Sequence, residues 1–466
     1  MDQTSNERLR HYLRQLPPQS QALLMREFER AIKRGEDTEV ATLVLAQLRE
    51  LVRDSETETQ TEQLARPLFE PLEPFLVDGH LSARAGQIRR PSLMAVWRWL
   101  ARDGAPEEVG QYRDALAASC GGAEDPSLDR AVRRLQLATT DAIAQITAPS
   151  GGDNQRALAR IGAPEVIEDL VPIGTVLRAR EALEGLASRL PMYMRMFADS
   201  QVTSVCAILN VPSLQTPQLL PFALSLLIQR LASPWQVIRI AIKMAASDDE
   251  LRVAATPYGI AVSLALHDLS GLAAVLRTDI RRGQFANIGG NLKALHDGVR
   301  GLRTELDLRQ DSPWGKQLAA IRADISNALQ SEIDSVPGRV RRILRQRADK
   351  DIPTGARIDG SEVEEVASLI EFVAVCRTYA SELAINEVTL RTYSDLQQQV
   401  EQATESLVQS LRGGDAKIRA YRHMQAEAAV RFCEVLFGHE YSSLMKRSVE
   451  NALMAERNVE RKPRAG

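Results

Sequence analysis

The sequence has few cysteines, and they lie far apart. Cys120, Cys206, Cys376 and Cys433 are the only four in 466 residues, and none has the paired spacing of a zinc ribbon or a disulfide framework. We therefore expect neither of these, and we expect the reducing environment of the cytoplasm. The first ten residues lack the apolar core of a signal peptide, so export is not expected.

Aromatic residues are also scarce, at 5% of the chain, and Ala and Leu supply much of the apolar content. Ala and Leu favour helices, whereas strands are enriched in aromatic and β-branched residues. The composition therefore predicts an all-α protein. Its length allows roughly two to four domains.

Neither sign of charge dominates. The chain has 58 Lys and Arg against 61 Asp and Glu, a net charge of −3. This balance provides no global field to attract nucleic acid or an anionic membrane. Only eight of the 58 basic residues are Lys, which leaves 50 Arg, and a bias of that size indicates a GC-rich genome more than a function.

Long uninterrupted apolar runs are missing too. The most apolar stretch extends from Leu219 to about Leu276. Proline or charged residues interrupt it at Pro221, Arg230, Pro234, Arg239 and Lys243. A membrane span needs about 20 consecutive apolar residues, so none is expected. The stretch instead predicts three or four consecutive helices that bury nearly their whole circumference.

Helix start signals divide this stretch. Thr216 and Ser233 each precede a proline, and Ser247 begins a capping box that ends at Glu250. Short capped helices joined by tight turns predict a multi-domain helical array or bundle around a buried central core. The part from Ser233 to Ala255 resembles a HEAT-type helix pair, which implies an array that is HEAT-like in part.

Loops rich in Pro, Gly and Asn predict the domain boundaries, above all at 148–155 and 349–360. The predicted parts are an N-terminal helical unit at 1–66, a small helical domain at 67–150, a central helical core domain at 151–350, a C-terminal helical domain at 351–455 and a disordered tail at 456–466.

The tetrapeptide Ala-Leu-His-Asp occurs twice, and it contributes His267 and the pair His296 and Asp297. One upstream His, a His-Asp pair and a distant Asp in a helical chain resemble the HD-domain metal-dependent phosphohydrolases. The resemblance implies a metal site at His267, His296 and Asp297, completed by Asp349 or Asp351. Its metal would lower the pKa of a bound water for attack on a phosphoester. The alternative is that these residues are ordinary members of polar helix faces.

Five arginines crowd the helix after Pro337, namely Arg339, Arg341, Arg342, Arg345 and Arg347. Such a helix suits contact with phosphates, although it has no interleaved aromatic residue for base stacking. It belongs to a basic block at 277–347, with 14 basic and 8 acidic residues, which precedes an acidic block at 359–405, with 2 basic and 10 acidic residues. We expect these blocks to lie side by side and neutralise each other; the alternative is a basic face for nucleic acid or an acidic partner.

The dinucleotide-binding fingerprint, the phosphate loop and the G-x-S-x-G and H-E-x-x-H motifs are absent from the sequence. We therefore predict a non-enzymatic scaffold or assembly subunit that binds another protein or itself and needs no cofactor. The two alternatives are an HD-type phosphohydrolase and an Arg-based nucleic-acid-binding protein.

Overall fold

The computed structural model describes residues 60–78, 85–118, 126–148, 152–285, 288–346, 351–353, 356–412 and 416–460. Before residue 50 it describes seven isolated helical residues. Three of them, Leu13, Val44 and Leu48, form a small buried cluster with Leu24, Met25 and Phe28 packed against it. Helices dominate the described chain, so the all-α prediction is confirmed.

The chain divides into two compact units, residues 1–185 and 186–466. Residues 60–69 are helical, and the helices with both ends described are numbered after them. Those of the first unit are α1 (Arg90–Trp99), α2 (Pro106–Ala118), α3 (Pro126–Thr147), α4 (Gly152–Ala159) and α5 (Pro164–Arg178), and α6 (Arg180–Arg189) contains the division. Two short parallel strands, β1 (Leu76–Val77) and β2 (Ile88–Arg89), pair in front of α1.

A buried ionic network joins β2 and α1 to α5 in the first unit. The Asp169 carboxylate on α5 accepts hydrogen bonds from the Ser92 hydroxyl at 2.6 Å and from the Arg89 guanidinium at 3.2 Å. The Arg89 backbone N–H donates to the same carboxylate at 3.2 Å. A buried carboxylate with several donors is satisfied, so this network is structural.

The second unit contains eleven more described helices. They are α7 (Asp199–Leu209), α8 (Leu220–Ile228), α9 (Ile238–Ala245), α10 (Glu250–Ala254), α11 (Ile260–Arg282), α12 (Ile288–Glu305), α13 (Pro313–Leu344), α14 (Gly360–Tyr379), α15 (Asn386–Leu411), α16 (Ala416–Phe437) and α17 (His439–Glu460). Because α17 continues to Glu460, the first residues of the predicted disordered tail are helical, and 461–466 lie outside the described residues.

The central apolar stretch forms the core of this unit, as predicted. Every residue of α8 is buried, and α11 packs against α8, α9, α12 and α13. The start signal at Thr216 forms a turn, in which the Thr216 carbonyl accepts from Leu219 and Leu220, and the helix begins after it.

The stretch from Ser233 to Ala255 differs from the expected HEAT-type pair. It contains a 3-10 turn at Pro234–Val237, the eight residues of α9 and the five residues of α10. Ala246 ends α9 in a left-handed conformation, and Asp249, rather than Ser247, caps α10 by accepting from the Arg252 N–H at 2.9 Å. Two HEAT helices need a repeat of about 40 residues, which these short elements do not supply.

Helix α11 with its preceding turn, Pro257–Arg282, is long and apolar enough to cross a membrane by length and composition alone. The five proline and charged residues noted above as interrupting the apolar stretch all precede this helix. Core helices pass the same test, and half of its most apolar window is buried by the neighbouring helices of the second unit. A single helix of this kind does not establish a membrane span.

Helices on either side of the predicted boundary at residue 350 pack together. α13, which precedes this loop, contacts α14, α15 and α16, which follow it. The four-domain division stays a prediction, and the contacts show that 186–466 forms one compact unit.

Candidate functional site

The predicted metal ligands His296 and Asp297 lie on α12 and contact each other. His296 Nδ1 is 3.1 Å from an oxygen of Asp297, and the other Asp297 oxygen accepts from Lys293 Nζ at 3.0 Å. The His296 ring packs on the Tyr379 ring of α14, with 5.4 Å between centroids. A lysine cation and an aromatic ring therefore occupy positions next to the pair.

The pKa of Asp297 reflects these neighbours. Burial by itself raises the pKa of the carboxyl, but hydrogen bonds from Lys293 and His296 outweigh burial, so the pKa is lowered overall. Asp297 is thus ionised and already held by a cation. A divalent metal would have to compete with Lys293 for this carboxylate.

His267 lies on α11, next to α12. Among the described residues, no group of three or more His, Cys, Asp or Glu side chains is placed to hold a metal ion, so His267 does not join His296 and Asp297 in one. Asp349 lies outside the described residues, and Asp351 is in the short described piece at 351–353. The metal site stays a prediction, and no third ligand lies beside His296 and Asp297 among the described residues.

Two of the five predicted phosphate-binding arginines have carboxylate partners among the described residues. Arg339 on α13 contacts Glu365 at 2.8 Å and Glu332 at 3.3 Å, and Arg342 pairs with Glu362. Arg341 and Arg345 are exposed, with no ion-pair partner in the described part of the chain. Arg347 lies outside that part.

Further ion pairs join the same two charge blocks. Arg303 of the basic block contacts Glu382 of the acidic block at 2.8 Å, and Asp334 contacts Arg391 in the opposite sense at 3.1 Å. At the four ion pairs named above the two blocks lie side by side, so that part of the expectation is confirmed. Neutralisation is partial, because Arg281, Arg282 and Arg300 of the basic block are exposed with no ion-pair partner among the described residues.

An exposed apolar segment follows α6. We call residues Pro191–Phe197 the Met192 segment. Its Met194 and Phe197 are buried, whereas Met192, Tyr193 and Met196 are 81%, 66% and 71% exposed. The chain bends at Met192, Arg195 and Met196, so that Met194 and Phe197 are buried while the residues before and between them are exposed.

Two backbone hydrogen bonds attach the Met192 segment to the chain after α8. The Met194 N–H donates to the Arg230 carbonyl at 2.7 Å, and the Ala232 N–H donates to the Met194 carbonyl at 3.0 Å. This short parallel bridge pairs Met194 with Leu231. The exposed side chains therefore extend from a backbone anchored to the central core.

Arg239 on α9 holds the end of the segment. Its Nη1 donates to the Phe197 carbonyl at 2.6 Å, and its Nε donates to Glu305 at 2.7 Å, with a second guanidinium contact to the same carboxylate. Hydrogen bonding to Glu305 raises the pKa of Arg239, which stays charged. A bidentate carboxylate fixes the guanidinium orientation, so α12 positions the Phe197 carbonyl through Arg239.

Trp235 fixes the turn that follows the bridge. Its ring lies so close to Gly301 of α12 that a Cβ there would be 2.4 Å from two ring carbons. Only a residue without a side chain allows this contact. The turn Pro234–Val237, and with it the chain at 230–232, is thereby packed against α12.

The sequence on either side of the segment is basic. From Gly185 to Ser247 the sequence contains one acidic residue, Asp199, against five basic residues: Arg189, Arg195, Arg230, Arg239 and Lys243. Of these, Arg189 precedes the exposed side chains, Arg195 lies between Tyr193 and Met196, and both arginines are exposed. Neither has an ion-pair partner among the described residues, whereas Arg239 is neutralised by Glu305.

No match is found for this chain among protein-family models, curated proteins or solved structures. Sequence reasoning missed the Met192 segment, although a signal was present: three of the ten methionines lie at alternate positions from 192 to 196.

Proposed function

We propose that this chain is a non-enzymatic protein-interaction scaffold or assembly subunit, and that the Met192 segment is a docking point for its partner. The observation that carries the proposal is the exposure of Met192, Tyr193 and Met196 on a backbone fixed to the core. Exposed apolar side chains that lie together mark interaction surfaces more often than singly scattered ones do.

The residue types suit this role. Methionine is flexible and polarisable and adapts to different partner surfaces, and tyrosine is enriched at interfaces because it combines an apolar ring with a polar end. The anchored backbone reduces the conformational entropy lost on binding. Only side-chain rotamers remain to be ordered.

The magnitudes indicate how large the interface must be. Fully burying one such side chain contributes about 1.5–3 kcal/mol, so three contribute on the order of 7 kcal/mol before any cost of association. A micromolar complex needs about 8 kcal/mol after those costs. A stable partner must therefore also contact the surroundings of the segment.

Site-specific photo-crosslinking tests the proposal. A photoreactive phenylalanine analogue replaces Tyr193 in the full chain, expressed in its native cells, and the matched control replaces Leu390 on α15, which is 59% exposed. We expect one defined adduct from position 193, lost when Met192 and Met196 are both changed to Ser, and none from position 390.

The adduct's mass distinguishes the two kinds of partner. An adduct of twice the chain mass indicates self-association, and any other defined mass indicates a different protein. Equal crosslinking from both positions, or an adduct unaffected by the two Met→Ser changes, would remove the Met192 segment as the docking point.

A further inference from the structure

The charge around the Met192 segment specifies the chemistry of its partner. Arg189 is the last residue of α6, and Arg195 lies within the segment between exposed Tyr193 and Met196. Both guanidinium groups are exposed, and no carboxylate in the described residues pairs with them. Two cations without an ion-pair partner among the described residues therefore lie within three residues of the exposed apolar side chains.

A third arginine contributes from the other side of the bridge. Arg230 Nη1 is 3.5 Å from the Met192 carbonyl oxygen and 2.9 Å from the Met192 sulfur. Its charge therefore lies against an exposed apolar side chain. No carboxylate among the described residues forms an ion pair with Arg230.

We infer that the Met192 segment binds an amphipathic segment of another protein whose apolar side chains contact Met192, Tyr193 and Met196 and whose carboxylates pair with Arg189 and Arg195. This inference rests on the proposed function and adds the partner's charge to it. A basic or neutral partner would leave these arginines uncompensated at the edge of a desolvated contact. Opposite charge there accelerates association and excludes like-charged competitors.

Two synthetic peptides test the inference on the full chain. They share one amphipathic leucine spacing, and one has Glu and the other Lys at every polar position. By fluorescence anisotropy at low salt, we expect the Glu peptide to bind at least about tenfold more tightly than the Lys peptide. Added salt should weaken this preference, because it screens exposed charges.

Charge reversal supplies the variant and its matched control. Arg189→Glu with Arg195→Glu should reverse the preference in favour of the Lys peptide. Arg341→Glu with Arg345→Glu makes the same change in net charge at two exposed arginines at the end of α13, and should leave the preference for the Glu peptide in place.

The outcomes separate this inference from the proposed function. If Met192→Ser with Met196→Ser abolishes binding of both peptides but reversal of Arg189 and Arg195 has no effect, the docking surface stands and the acidic partner is excluded. If the control pair alters the preference equally, the effect is one of net charge and the inference fails. If sedimentation shows self-association that the two Met→Ser changes remove, a second copy is the occupant and the inference fails.

Discussion

Packing at Gly301 provides the most direct test of how the turn Pro234–Val237, which follows the bridge to the Met192 segment, is held against α12. The change is Gly301→Ala, which adds one methyl group to α12. That methyl would lie 2.4, 2.4 and 2.6 Å from three carbons of the Trp235 ring. Distances below 3 Å require the ring or the helix to move, and adding a methylene to a packed core costs about 1–3 kcal/mol.

Replacing glycine by alanine inside a helix also has a favourable effect. It contributes about 1 kcal/mol through helix propensity, which offsets part of the packing cost. Gly271→Ala on α11 isolates this contribution, since a Cβ there has no neighbour within 4 Å. The free energy of unfolding of Gly301→Ala should therefore lie about 1–3 kcal/mol below that of Gly271→Ala.

In a third variant the added methyl group meets a flexible side chain instead of an aromatic ring. At Gly298 an added Cβ would lie 2.4 Å from Cδ2 of Leu269, the end of a side chain that can rotate away. We expect Gly298→Ala to fall between the other two. Urea unfolding, followed by tryptophan fluorescence and by far-ultraviolet circular dichroism, measures all three.

The order of the three variants is the decisive result. If Gly301→Ala is as stable as Gly271→Ala within about 0.5 kcal/mol, the Trp235 ring does not limit the approach of α12, since surface-like substitutions give changes of that size. The account of how the turn at Pro234–Val237 is fixed would then be wrong.

Three further predictions concern neighbouring contacts. Arg239→Lys keeps a charge near Glu305 but loses the guanidinium geometry, so amide hydrogen exchange in residues 190–198 should quicken about tenfold, as expected for the loss of one charged hydrogen bond; an unchanged exchange rate would show that Arg239 does not hold the segment. The pKa of Asp297 is lowered in the folded protein, so its pair with Lys293 stabilises the fold above the ordinary carboxyl pKa of about 3.9, and this stabilisation is lost as the pH falls through the folded pKa. The difference in free energy of unfolding between the wild type and Asp297→Asn should therefore shrink in acid. A difference that does not change with pH would contradict this. Calorimetric titration with Mn²⁺ should give no binding at micromolar protein, and binding that His296→Ala removes would restore the phosphohydrolase hypothesis.

The sequence predicted the helical class and the central core because both depend on local signals. Apolar positions at helical spacing and the start signals at Thr216 and Ser233 are readable without knowledge of distant contacts. Helix bounds were less accurate where tertiary contacts decide them. Ala246 ends α9 in a left-handed conformation, which alanine rarely adopts. No pattern in the sequence predicts it.

The contact between the two charge blocks was predictable for a similar reason. Opposite net charges adjoin in the sequence, and α13 and α14, which lie next to each other in the chain, meet in pairs such as Arg339 with Glu365. The choice between a neutralised and a free basic face could not be made from composition alone. It required the distances between individual side chains.

The candidate site was the least predictable part. Nothing in the residues 191–197 states which of three methionines is buried, because that depends on a backbone bridge to Leu231 and on the donor from Arg239. A period-two pattern would place Met192, Met194 and Met196 on one face. The bends around Met194 separate them, and these bends are set by residues distant in sequence.

The same bridge has a practical consequence for inhibitor design. The conformation at 191–197 depends on contacts with residues far along the same chain. A free peptide with the sequence of those residues would therefore lose the backbone hydrogen bonds that Met194 makes with Arg230 and Ala232. Such a peptide would sample many conformers and compete poorly for the partner. A decoy for this contact must carry the helices that frame it.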